Sequence, residues 1–162
     1  MQHWKAGLSE MDLDDLIRQD AILPFLKGNS KKQVVQELCE RAGRLTGLPE
    51  REIFDTVMER ERLGSTGVGH GIAIPHGKLP ALERIVGVFG RVGRPVDFDA
   101  LDEEPVDLVF LLLAPAGAGA DHLKALSKVA RVLRNPATVA GLRAARDADA
   151  IFTLLSRPPA AA

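Results

Sequence analysis

The chain has 162 residues, 46% of them apolar and 27% charged, enough for one ordinary domain with a proper core. A net charge of −1 supplies no basic field to hold nucleic acid or an anionic membrane, and 4% aromatics with no tyrosine leaves few platforms for stacking bases or sugars. The longest apolar run, 108–115, is too short to cross a bilayer, and Cys39 as the sole cysteine excludes an internal disulfide and a cysteine zinc site, so the cytoplasm is the expected compartment.

Residues 1–10 lack periodicity and are expected to trail at the surface. Leu13, Leu16 and Ile17 suit a short helical turn. The apolar stretch 21–26, closed by Lys27-Gly28-Asn29, reads as a strand, which Pro24 assigns to a sheet edge or a bulge. Ser30 and Gln33 stand at capping-box spacing ahead of Val34, Val35, Leu38 and Ala42, a helical stripe that Gly43 or Gly47 stops. Pro49 fits the first position of a second helix, whose faces continue through Ile53, Val57 and Arg60 to Leu63-Gly64. Glycines then crowd around Ile72-Ala73-Ile74, a very short strand candidate. Segment 85–92 is β-branched enough for a strand, and the unbroken apolar run 106–114 suits one buried on both faces. Helices are predicted over 121–134, 137–145 and 149–155, with Asn135-Pro136 between the first two and a frayed tail beyond Pro158. Helices and strands alternate without a repeat or a long linker, so 1–162 reads as a single α/β domain in which helices cover a small β-sheet.

The stretch from Gly64 to Lys78, GSTGVGHGIAIPHGK, carries the chemistry. Its glycines imply tight, exposed backbone whose N–H groups are suited to cupping an anion. Pro75 fixes its own φ and biases Ile74 to an extended conformation, so His76 is presented at the end of a short apolar strand with Gly77 leaving its approach open. A histidine among glycines also suits a plain turn. Metal binding by His70, His76 and His122 has no recognisable ligand spacing in its favour. The glycines fail as a dinucleotide fingerprint, because a strand and not a helix follows them, and no Walker A lysine is present.

This stretch closely resembles the phosphorylation motif of phosphotransferase system IIA domains of the fructose and mannitol type, above all the nitrogen-regulatory IIA proteins. Phe98-Asp-Ala, Pro105-Val-Asp-Leu-Val and Asp121-His122-Leu continue the likeness in order, over about 13–155. The resemblance implies a mixed β-sheet flanked by helices. It also implies that His76 accepts a phosphoryl group from the phosphohistidine of an HPr- or NPr-type carrier. His122 is expected beside it, and Arg60, more than Arg62, is expected to add positive charge.

Such a transfer needs a neutral imidazole, and an ordinary pKa of about 6.5 leaves His76 mostly neutral near pH 7. The resemblance implies attack through Nε2, in line with the departing donor. His122, Arg60, Ser65, Thr66 and loop N–H groups are suitable donors toward the phosphoryl oxygens, although each also suits an ordinary structural role. No metal or organic cofactor is required, because the donor is already activated. Downstream, the resemblance allows a nitrogen-regulatory carrier acting on targets such as potassium transporters or sensor kinases, or a sugar-specific IIA passing phosphate to a IIB domain. A third reading keeps the fold as a binding module without phosphotransfer. His70 stands where Asn or Glu is more usual and adds a third imidazole near the site. The acidic run Asp97, Asp99, Asp102, Glu103, Glu104 does not fit an EF-hand and reads as a solvated loop, while Cys39 reads as a small buried hydrophobe.

Overall fold

The computed structural model describes residues 13–156. The expected trailing segment 1–10 and the tail beyond Pro158 lie outside the described residues. Two short 3₁₀ turns, Leu13–Asp15 and Gln19–Ala21, open the described chain, and the first is the turn that Leu13, Leu16 and Ile17 suggest. β1 (Ile22–Leu26) follows and, among the described residues, pairs only with β5. Pro24 has both predicted consequences: the strand is an edge, and its register slips between Leu23 and Leu26, since proline has no N–H to give a ladder.

α1 (Lys31–Thr46) begins at Ser30, whose hydroxyl accepts the Gln33 N–H at 3.2 Å. The Gln33 side chain reaches back to the N–H of Asn29 at 2.7 Å, one residue earlier than a capping box places it. Gly47 stops the helix with φ 79° and donates to the Gly43 carbonyl, so Gly43 is an interior residue. Pro49 caps α2 (Glu50–Leu63) from just outside the helix. The buried face of α2 is Ile53, Val57 and Glu61, one residue every four. The expectation that Arg60 continues that face is corrected here: Arg60 is half-exposed, and a carboxylate occupies the inward position.

The glycine-rich middle holds more structure than its composition suggests. β2 (Gly67–Gly69) and β3 (Ile72–Ala73) form an antiparallel hairpin, with His70 (φ 58°) and Gly71 (φ 82°) as its turn. Both central residues take the positive φ that a two-residue hairpin favours. After Ile74-Pro75, His76 opens a separate strand, β4 (His76–Leu79), where the sequence suggests the end of the preceding one. β5 (Val86–Val96) and β6 (Val106–Pro115) are the long strands, and both run past their predicted ends.

The sheet is mixed, with order β1-β5-β6-β3-β2 and β4 also against β6. β6 is central and almost wholly buried, with Leu108, Phe110, Leu111, Leu112 and Leu113 all inaccessible to solvent. Each such side chain contributes about 2 kcal/mol through removal from water. β3 and β4 dock one after the other along the same edge of β6, both parallel to it, pairing Ile72 with Leu108 and His76 with Leu112. α3 (Ala120–Val132), α4 (Pro136–Ala144) and α5 (Ala148–Ser156) complete the described chain. Asn135 caps α4 by accepting the N–H groups of Ala137 and Thr138. No described helix is long and apolar enough to cross a membrane.

Candidate functional site

His76 is held by three features of its own neighbourhood. The Pro75 carbonyl accepts from Leu112 N–H at 2.9 Å and ties the bend to β6. The Ile74 N–H donates to the Thr66 carbonyl at 3.0 Å, which ties the bend to the start of the hairpin. Gly77, the next residue, allows α2 to approach: a Cβ there would stand 2.9 Å from Cγ2 of Thr56. Arg60 lies one turn beyond Thr56 on the same side of α2, so the closeness that Gly77 permits also delivers the guanidinium.

Nδ1 of His76 stands 2.9 Å from the Ile74 carbonyl oxygen. A carbonyl only accepts, so Nδ1 carries the proton and Nε2 keeps a free lone pair. The sequence left open which group would fix this tautomer. The His76 pKa is lowered from its ordinary value, first by burial and then by the Arg60 charge, against the hydrogen bond to Ile74 and the Glu61 carboxylate, which raise it.

The structure brings two of the predicted site residues, His122 and Arg60, to this ring. His122, in the first turn of α3 and 5% exposed, faces His76 with ring centroids 5.6 Å apart. Burial, then the charges of His76 and Lys78, lower its pKa as well. Its Nδ1 is buried without a hydrogen-bond partner among the described residues, leaving one nitrogen uncommitted. Arg60 donates from Nη1 to the Gly64 carbonyl at 2.9 Å and acts on His76 through its charge, whereas Arg62 is exposed.

Ser65 and Thr66 stand in the same loop, with hydroxyls already engaged. Ser65 donates to the Phe98 carbonyl at 2.6 Å and accepts from Gly67 N–H at 3.0 Å. The Thr66 hydroxyl is buried and donates to the Glu61 carboxylate. Either hydroxyl would have to release its present partner to reach a phosphoryl group.

Two residues of the site were missed from sequence. Lys78 is two positions along β4 from His76, hence on the same strand face, and its signal was the period of two. Glu61 was hidden because a charged residue within a helix is ordinarily read as solvated; its signal was the four-residue spacing from Ile53 and Val57. His70 is in the β2–β3 turn beyond Ile72, whose pairing is four residues back along β6 from that of His76, or about 13 Å. It is therefore not a third imidazole of this site. Its N–H donates to Asp102 and its carbonyl accepts from Arg143. The acidic run forms a turn-rich loop, with Asp97 accepting from Asp99 N–H and Asp102 from Glu104 N–H. Cys39 is fully buried in α1, and burial pushes its thiol up to about 12, the behaviour of an inert small hydrophobe.

Residues 15–157 match the family described as phosphoenolpyruvate-dependent sugar phosphotransferase system, EIIA 2. The chain is 59% identical to the nitrogen regulatory protein of Bradyrhizobium diazoefficiens, over 94% of this chain and 99% of that protein. It is 37% identical to the nitrogen regulatory protein of Escherichia coli K12, over 90% of each. The crystal structure of nitrogen regulatory protein IIA-Ntr from Neisseria meningitidis superposes with a TM-score of 0.84 at 34% identity, covering 88% of this chain and 98% of that one. The mannitol IIA of Escherichia coli shares the fold, with a TM-score of 0.72 at 22% identity over 85% of this chain and 97% of that one. On matches that span nearly the whole chain and nearly the whole of its relatives, this protein belongs to the EIIA 2 family of the phosphoenolpyruvate-dependent sugar phosphotransferase system.

Proposed function

We propose that this protein is a histidine phosphocarrier of the nitrogen-regulatory branch. It takes a phosphoryl group onto Nε2 of His76 from the phosphohistidine of an HPr- or NPr-type carrier. The observation that carries the reading is the hydrogen bond from His76 Nδ1 to the Ile74 carbonyl, which leaves Nε2 as the lone-pair nitrogen. In the transfer that lone pair forms the new N–P bond while the N–P bond to the donor histidine breaks, and its electron pair stays on the donor ring. The lowered pKa keeps the acceptor neutral at pH 7, the state the attack requires.

Charge on the transferring group spreads over its oxygens, and fixed donors near those oxygens lower the barrier. Arg60, Lys78 and His122 take this role in the scheme: Arg60 acts on His76 through its charge, Lys78 acts on His122, and the His122 ring faces His76. Ser65 and Thr66 contribute by fixing the loop, since their hydroxyls are already engaged. No cofactor or metal takes part in this scheme. The nitrogen-regulatory assignment is supported by relatives that bear that name and match over almost their full length. The phosphorylated site carries a doubly charged group, which changes what docks there. Target proteins, such as a potassium transporter or a sensor kinase, then read the phosphorylation state in the cytoplasm.

The test is intact mass after incubation with phosphoenolpyruvate, enzyme I and an HPr-type carrier, for wild type and His76→Ala. An acid-labile phosphoryl adduct on the wild type alone is expected. An adduct on both proteins would move the acceptor elsewhere, and none on either with competent carriers would leave a binding module.

A further inference from the structure

Glu61 is a carboxylate in a place where α2 otherwise buries apolar side chains, and it is 5% exposed. Both of its oxygens are used. One accepts the Thr66 N–H at 3.2 Å and the Lys31 ammonium of α1 at 2.7 Å. The other accepts the Thr66 hydroxyl. Lys31 is itself largely buried and lies over the Phe98 ring, 5.1 Å from its centroid. An apolar pair of similar volume often serves stability as well as a buried ion pair does. The geometry says what this one does besides hold the fold.

Thr66 is clamped twice, at its N–H and at its hydroxyl, so its peptide orientation is set by Glu61. Its carbonyl accepts from Ile74 N–H at 3.0 Å. Pro75 restricts the backbone of Ile74, so fixing that N–H also fixes the direction of the Ile74 carbonyl. That carbonyl accepts the proton of His76 Nδ1. A continuous path therefore runs from Lys31 through Glu61, Thr66 and Ile74 to the reacting ring, and it crosses three elements that sequence separates.

We propose that Glu61 is a positioning residue for the reaction at His76, acting through Thr66 and Ile74 to hold the carbonyl that keeps Nδ1 protonated and Nε2 free. The proposal rests on His76 being the phosphoryl acceptor. Glu61 touches neither partner in the transfer. Its negative charge also favours a proton on His76, opposing Arg60, so its loss alters the ring's acid–base behaviour as well as its orientation.

Two variants test this. Glu61→Gln keeps shape and one acceptor but removes the charge. The double variant Lys31→Met with Glu61→Gln removes both charges together, leaves no buried ion unpaired, and serves where the single variant does not fold. The tautomer of His76 is read from long-range proton–nitrogen correlations of its ring, without any phosphoryl donor. Transfer is read as kcat and KM with the phosphorylated carrier. The expected result is a His76 ring distributed over both tautomers and a kcat lowered about 10- to 100-fold at unchanged KM. A folded variant with the Nδ1–H tautomer intact and wild-type kcat, whatever its melting temperature, would overturn the proposal and leave Glu61 a structural residue. A wild type that takes up no phosphoryl group would defeat the proposed function instead, while the tautomer measurement still decides the role of Glu61.

Discussion

His76 and His122 face each other with ring centroids 5.6 Å apart and planes inclined by 52°, so a proton on the first makes one on the second more costly. Burial pushes both pKa values down, and the charges of Arg60 beside His76 and Lys78 beside His122 push the same way. The site is thereby a pair of neutral imidazoles at pH 7. That suits an acceptor which must offer a lone pair, and a neutral His122 still keeps one N–H to donate.

An NMR titration of the two rings is expected to show both midpoints below about 6.5, the ordinary histidine value, with the midpoints belonging to the coupled pair. Between those midpoints and about 6.5 the folded protein binds fewer protons than the unfolded chain, so stability rises with pH there and falls on acidification. Urea unfolding at pH 7.5 and pH 5.5 is expected to show that loss, and His76→Asn to show less of it. Midpoints at or above 6.5 would mean that burial does not govern these rings.

His122→Ala is expected to leave the phosphorylation site unchanged but slow its filling by roughly 100-fold, the scale on which loss of one fixed donor toward a transferring group is felt. Rapid-quench kinetics with the phosphorylated carrier reads this directly. A wild-type rate would assign the His122 ring to packing alone.

Gly77→Ala is expected to destabilise the protein by about 1–3 kcal/mol, because the new methyl group meets Thr56 Cγ2 at 2.9 Å on a β-branched side chain with little rotamer freedom. Adding Thr56→Ala should return most of that loss, since the clash partner is gone. Chemical denaturation of the two single variants and the double completes the cycle, and simple additivity would show that the two positions do not press on one another.

Arg91, on β5, donates to the carbonyls of Leu142 at 2.9 Å and Ala145 at 2.6 Å, at the C-terminal end of α4, and to Pro24 in β1 at 3.2 Å. Arg91→Ala is expected to cost about 2 kcal/mol, as charge-assisted hydrogen bonds are lost, which lowers the melting temperature by about 4–8 °C. Phosphoryl uptake at His76 should be unaffected, because α4 lies outside the site. Unchanged melting would show that water satisfies those carbonyls equally well.

Much of the fold was legible in the sequence because it depended on local rules. The alternation of helices and strands, the edge strand at Pro24, the Ser30 cap and the buried β6 all follow from periodicity, missing donors or side-chain acceptors within a few residues. Two strands were not legible. β2 and β4 are three and four residues long and built largely of glycine and polar residues, so neither presents a pattern of period two that the eye can separate from a loop. They become strands because β6 offers β4 its edge, and because β3, itself paired to β6, offers an edge to β2.

By itself, the sequence determined the family and singled out His76, His122 and Arg60 as the candidate site residues, because a long motif and its ordered echoes are one-dimensional signals. Only the tertiary structure decided which group fixes the tautomer of His76, that His70 stands apart, and that Glu61 rather than Arg60 turns inward. Each of those depends on a contact between residues from different elements: a carbonyl direction fixed through Thr66, a register along β6, and a cation delivered by Lys31 from α1. A buried carboxylate is tolerated only where such partners converge, and convergence is a property of the folded chain.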